Sequence, residues 1–135
     1  MVYIVDDGED YQYLLQQVFS RYLSRYSVRF FTDGEQLHQH LLTGKELPQL
    51  ILLDLDMPIL DGFQTLRLLK QHTHWKRIPT VIMSNSLSSE NIQACYDAFA
   101  NSFLVKASDF EQLKQQIEAI CQYWLELNQT FIANR

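Results

Sequence analysis

Residues 50–57 read Leu50-Ile51-Leu52-Leu53-Asp54-Leu55-Asp56-Met57, and this run decides the fold. Four consecutive aliphatic residues suit a strand covered on both faces, not one with a dry face and a wet face. A strand of that kind belongs to a parallel sheet packed between helices. The run predicts a strand over Leu50–Leu55, and it carries a carboxylate, Asp54, straight out of an apolar stretch, where a charge needs a reason.

Four more short apolar runs flank it, at Val2–Val5, Val28–Phe31, Thr80–Met83 and Ser102–Val105. Helical stripes lie between them. Leu14, Leu15, Val18, Phe19 and Tyr22 form the first stripe, Leu37 and Leu41 the second, and Phe63, Leu66 and Leu69 the third. Ile92, Cys95, Tyr96 and Phe99 form the fourth, and Leu113, Ile117, Ile120, Trp124 and Leu127 a long fifth. Thr32 with Glu35 and Ser108 with Glu111 have capping-box spacing before the second and fifth helices. Gln71–Ile78 is an irregular connection. Strand and helix thus alternate five times. Right-handed crossovers then predict an α/β fold, a flavodoxin-like doubly wound parallel sheet of five strands in the order 2-1-3-4-5 with five helices. Residues 1–128 make one domain and 129–135 a short C-terminal tail.

The bulk composition agrees. A chain of 135 residues, 47% hydrophobic and 20% charged, matches one ordinary globular domain. The 11 Lys and Arg are scattered and the net charge is −5, so no basic face for nucleic acid is expected. No apolar run reaches the roughly 20 residues needed to cross a bilayer, and MVYIVDD is no signal peptide. Cys95 and Cys121 are too few and too far apart for a disulfide framework. A reduced, cytoplasmic setting is expected. His38, His40, His72 and His74 form two His-x-His pairs, read as surface residues because helical neighbours two apart diverge.

In a doubly wound sheet, ligands bind at the carboxyl ends of the strands near the switch point. Strand 1 runs into Asp6 and Asp7, strand 3 through Asp54 to Asp56, strand 4 into Ser84 and Asn85, and strand 5 into Lys106. Carboxylates gathered at one rim repel one another unless a cation neutralises them. Mg²⁺ with oxygen ligands fits that need and commonly accompanies a phosphate. A carboxylate can also act as a nucleophile and form an acyl phosphate. Its transfer chemistry needs charge stabilisation, which Mg²⁺, the Lys106 ammonium and the Ser84 hydroxyl can supply.

These pieces carry a family resemblance. Val5-Asp6-Asp7, Leu53-Asp54-Leu55-Asp56-Met57-Pro58 with Asp61-Gly62, Met83-Ser84 and Phe103-Leu104-Val105-Lys106 resemble the receiver domain of bacterial response regulators. The likeness is to the stand-alone, chemotaxis-receiver-like type of two-component signalling and spans about Val2 to Leu125. It implies that Asp54 takes a phosphoryl group from a phosphohistidine on a sensor histidine kinase or a histidine phosphotransfer protein. It implies Mg²⁺ on Asp7, Asp54 and the Asp56 carbonyl, with Asp6 assisting through water. Lys106 would contact the phosphoryl oxygens, Ser84 would swing toward them, and Phe103 would be the aromatic switch, a place where Tyr is frequent. The protein would then be a phosphoacceptor, with at most self-catalysed phosphorylation and dephosphorylation, and not an enzyme.

The sequence departs from the family pattern at four places. Ala107 follows Lys106 where a cis proline is usual, so the bond is either trans with a shifted loop or a strained cis bond costing about 3–4 kcal/mol. Asn85 replaces a small residue, Phe99 stands where Gly is common, and Asp56 adds an acid. Two alternatives stay open at this point. One is a pseudo-receiver that binds without phosphotransfer. The other is a small aspartyl-phosphate phosphatase, although its Asp-x-Asp motif would follow the first strand. At this length no output domain is expected, so output is an interaction with a protein target. Tyr123 and Trp124, near the end of the last stripe, are read either as cover for the sheet or as part of a homodimer interface.

Overall fold

The computed structural model describes residues 1–44, 46–57 and 61–131. Pro58 of the motif and the last four residues of the tail lie outside the described residues. Five strands, β1 (Val2–Val5), β2 (Val28–Phe31), β3 (Leu50–Asp54), β4 (Thr80–Ser84) and β5 (Ser102–Val105), form one parallel sheet in the order β2-β1-β3-β4-β5. The crossovers carry α1 (Glu9–Tyr22), α2 (Gly34–Thr43), α3 (Gly62–Gln71) and α4 (Ser89–Asp97), and α5 (Phe110–Cys121) closes the chain. The expected fold class and strand order are therefore observed. Every residue of β1, β3 and β4 is buried, as the continuous apolar runs require, whereas β2 and β5 are the partly exposed edges. Two apolar clusters sandwich the sheet. One gathers Val5, Leu37, Leu53, Leu66 and Ile82, the other Ile4, Val18, Leu52, Met83 and Ile117.

Several boundaries shift from the expected ones. β3 ends at Asp54, one residue early, and β4 runs on to include Ser84. The caps also move by one. Asp33, not Thr32, accepts from the Gln36 amide at 2.9 Å, and Asp109, not Ser108, accepts from Gln112 at 2.8 Å. A short carboxylate in extended conformation outcompetes the hydroxyl beside it. In α4 only Cys95 of the expected stripe is buried; Tyr96 is about half exposed. The last stripe breaks as well. After Cys121 the backbone widens into a π-helical turn, Gln122–Leu127, closed by the Asn128 amide on the Tyr123 carbonyl at 2.7 Å. That turn rotates the phase, so Trp124 still packs on the core while Tyr123 and Leu127 face out. Both cysteines are free and buried.

The histidines are less superficial than expected. His72 stacks on the buried Trp75 ring at 3.7 Å, His38 meets that ring edge-on, and the His40 Nε2 lies 3.0 Å from the Tyr3 hydroxyl. Only His74 is exposed. The connection that holds His72 and His74 includes a 3₁₀ turn, Trp75–Arg77, so Gln71–Ile78 is packed structure and not a loose link.

Two details explain family-pattern positions. Asp61-Gly62 is the start of α3. Asp61 and Gln64 form a reciprocal capping box, and a Cβ on Gly62 would sit 1.9 Å from the Asp54 carbonyl oxygen. Glycine is needed here because the helix start presses on the backbone of the phosphoacceptor candidate. At the end of α4, Phe99 has φ of 69°. The Phe99 amide bonds the Tyr96 carbonyl and the Ala100 amide the Cys95 carbonyl, which is a Schellman motif with phenylalanine in the left-handed position that favours glycine.

Opposite outcomes follow for these two sites. Gly62→Ala should lower stability by about 3 kcal/mol, because backbone cannot yield to the added methyl. Phe99→Gly should raise it by about 1 kcal/mol, since the ring is 74% exposed and relieving the left-handed strain outweighs its packing. Urea unfolding midpoints of the two variants against the wild type check both signs.

Candidate functional site

The residues expected at the rim come together where β1, β3 and β5 end. β1 pairs with β3 so that Val5 lies beside Leu53, which places Asp6 next to Asp54. Carboxylate oxygens of Asp6, Asp7 and Asp54 lie within 4.8 Å of one another. Asp6 and Asp54 are buried and Asp7 is exposed, so the cluster opens to solvent on the Asp7 side. Asp56 is exposed just beyond β3, and its carboxylate is outside this group among the described residues.

Lys106 enters from the far edge. Its backbone amide continues the ladder onto the Ser84 carbonyl at 2.8 Å, and its side chain crosses under the site. The ammonium sits 2.6 Å from Asp6 Oδ2 and 3.3 Å from Asp54 Oδ1, with the side chain only 7% exposed. Two anions and one buried cation leave net negative charge in a region of low dielectric. Burial and the neighbouring Asp6 push the Asp54 carboxyl up from 3.8 to about 6, against the opposing pull of Lys106. Asp6 is held from its other oxygen by the Gly8 amide at 2.8 Å, and the Gln12 amide reaches its backbone carbonyl.

Ser84 is buried at the end of β4, but its hydroxyl is engaged with its own loop, 3.3 Å from both the carbonyl oxygen and the amide nitrogen of Ser86. Phe103 is half-buried on β5 and packs against the first apolar cluster. The Lys106–Ala107 bond is trans, which rules out the strained cis bond. The sequence reading missed one neighbour. Tyr11, in the first turn of α1, places its ring 4.3 Å from the Lys106 ammonium. Its partner lies 95 residues away, so no local pattern signals it.

The donor set fits a hard divalent ion. All three side chains offer oxygen, their ligating atoms converge, and Asp54 Oδ1 meets only the Lys106 ammonium, at 3.3 Å, among the described residues. The same Asp54 is an ionisable nucleophile flanked by a cation that can meet negative charge developing on a transferred group.

Comparison with known proteins places this arrangement. Residues 2–118 match the family model described as the response regulator receiver domain. The chain is 31% identical to the probable methanogenesis regulatory protein FilR2 of Methanothrix harundinacea, covering 96% of this chain and 86% of that one. It is 29% identical to the response regulator Rcp1 of Synechocystis, covering 93% and 89%. Among solved structures, the phosphorylated cyanobacterial phytochrome response regulator RcpA superposes with a TM-score of 0.89 at 28% identity, covering 96% of each chain. The manganese-bound form of Rcp1 gives 0.85 at 28% identity, covering 96% and 97%. The chain therefore belongs to the response-regulator receiver domains, the phosphorylation-activated components of two-component signalling.

Proposed function

We propose that Asp54 accepts the phosphoryl group, from a phosphohistidine of a sensor histidine kinase or histidine phosphotransfer protein, and that the modified rim switches a protein-interaction surface. The convergence of Asp6, Asp7 and Lys106 on Asp54 carries this reading. An Asp54 carboxylate oxygen attacks phosphorus; the new P–O bond forms as the P–N bond to the donor imidazole breaks, and the imidazole nitrogen takes up a proton. Lys106 neutralises charge on the equatorial oxygens. Mg²⁺ held by Asp7, Asp54 and the Asp56 carbonyl, with Asp6 assisting through water, would supply the remaining charge neutralisation. That Rcp1 has been solved with manganese bound supports a divalent ion here. Ser84 leaves its contacts with Ser86 to bond the new phosphoryl oxygens, and Phe103 follows on the adjacent strand. The protein acts as a phosphoacceptor, with at most self-catalysed gain and loss of the group.

Among the described residues no helix is long and apolar enough to cross a membrane. The output is read as an interaction with a downstream protein, with a second copy of the chain as one candidate partner. The exposed Tyr123 and Leu127 at the π-helical turn support that candidate.

Acetyl phosphate with Mg²⁺ should add one phosphoryl mass to the wild type and none to Asp54→Asn, read by intact-mass spectrometry. A wild type that binds neither phosphate nor Mg²⁺ would mark a pseudo-receiver. The Asp54 proton gives a second expectation. Its folded pKa, about 6, lies above the ordinary 3.8, so the folded state holds this proton more tightly than the unfolded chain. Its contribution to stability is present below pH 4 and is lost as pH rises through 6. Metal-free Asp54→Asn should therefore be more stable than wild type at pH 7, on the order of 2–3 kcal/mol, and the gap should close toward pH 4. Mg²⁺ affinity of the wild type, by titration calorimetry, should fall as pH drops through 6, because the proton competes with the ion.

A further inference from the structure

We propose that Tyr11 is a positioning residue for Lys106, its ring face bracing the ammonium beside the phosphoacceptor. The inference rests on the phosphotransfer reading above and adds a residue to it.

A lysine head on a flexible four-carbon stem is poorly fixed by point charges alone. Asp6 at 2.6 Å and Asp54 at 3.3 Å both pull on it, and Asp6 is the nearer. Left to these two, the ammonium would be free to collapse onto Asp6 or to turn outward toward water on the open side of the cluster. The Tyr11 ring closes that freedom. Its centroid is 4.3 Å from Nζ, well inside the roughly 6 Å over which a ring face attracts a cation. The ring also helps to keep the Lys106 side chain 7% exposed, and an ammonium shielded from water acts more strongly on a developing oxyanion.

The placement of Tyr11 is itself fixed. α1 begins at Glu9, immediately after the loop in which the Gly8 amide holds Asp6, so the first turn of the helix is tied to the acid cluster. Tyr11, Asp6, Asp54 and Met83 line one small void of about 10 Å³ beneath the site. The Tyr11 hydroxyl is buried without a hydrogen-bond partner among the described residues. Burial and the charges of Asp6 and Asp54 push its proton loss far above the ordinary tyrosine range. A phenol is neutral at working pH in any case, so it adds no third anion against Lys106.

The test compares wild type, Tyr11→Leu, Tyr11→Phe, Lys106→Met and the Tyr11→Leu/Lys106→Met double variant. The initial rate of phosphorylation by acetyl phosphate at saturating Mg²⁺ should fall about tenfold in Tyr11→Leu and recover most of the loss in Tyr11→Phe. In the Lys106→Met background, Tyr11→Leu should cause no further loss, because the group it positions is gone. An unchanged rate in Tyr11→Leu, or an equal loss in both backgrounds, would overturn the inference. So would a parallel fall in Mg²⁺ affinity or melting temperature, which would make the role structural. A second readout needs no phosphotransfer. Lysine ammonium protons give a nitrogen-correlated NMR signal only when shielded from exchange with water. The Lys106 signal should persist in wild type and Tyr11→Phe and vanish in Tyr11→Leu; persistence in all three would overturn the inference even if no protein were phosphorylated, a failure that would count against the phosphotransfer reading alone.

Discussion

A buried ammonium held between two buried carboxylates is the contact on which the rest of this structure depends. Lys106 ties the end of β5 to Asp6 at the end of β1 and to Asp54 at the end of β3. Losing Lys106 would leave Asp6 and Asp54 as uncompensated buried anions and cost about 3–5 kcal/mol, whereas neutralising Asp54 leaves the ammonium paired with Asp6. The sheet order makes the meeting possible. β1 and β3 are neighbours at the switch point, and β4 with its terminal Ser84 separates β3 from the edge strand. A lysine side chain is long enough to span that strand, whereas a shorter cation is not.

The same contact leaves the site electrically unfinished. One lysine cannot neutralise three acids, and burial together with the neighbouring Asp6 keeps the proton on the Asp54 carboxyl up to about pH 6. A divalent ion would offset the excess charge, and a phosphoryl group would increase it again. The site therefore sits between states that differ in charge and not in covalent framework, which suits a switch. Ser84 has a modest pair of contacts at 3.3 Å to surrender, so redirecting its hydroxyl gives up little.

Much of this was legible in the sequence, and the gaps have physical causes. The five strands were readable because burial on both faces leaves an apolar run with little ambiguity, and the rim residues followed from strand ends. The caps at Asp33 and Asp109 were misplaced by one residue because adjacent Thr-Asp and Ser-Asp pairs offer two acceptors and only backbone geometry chooses. The α4 stripe misled because an edge strand, β5, gives that helix little sheet to cover, so Tyr96 and Phe99 stay exposed. The role of Gly62 depends on a close approach to the Asp54 carbonyl that no local pattern encodes. Tyr11 was missed for a related reason: a ring over a lysine 95 residues away is a tertiary fact, visible only once α1 and β5 are placed.

The most direct measurement is chemical location of the acyl phosphate. Protein phosphorylated by a small phosphodonor with Mg²⁺ would be reduced with borohydride, which converts a phosphoaspartate to homoserine, and the digested peptides sequenced by tandem mass spectrometry. Homoserine is expected at position 54 alone. Homoserine at position 6, 7 or 56, or a phosphoryl group stable to borohydride on another residue type, would contradict it.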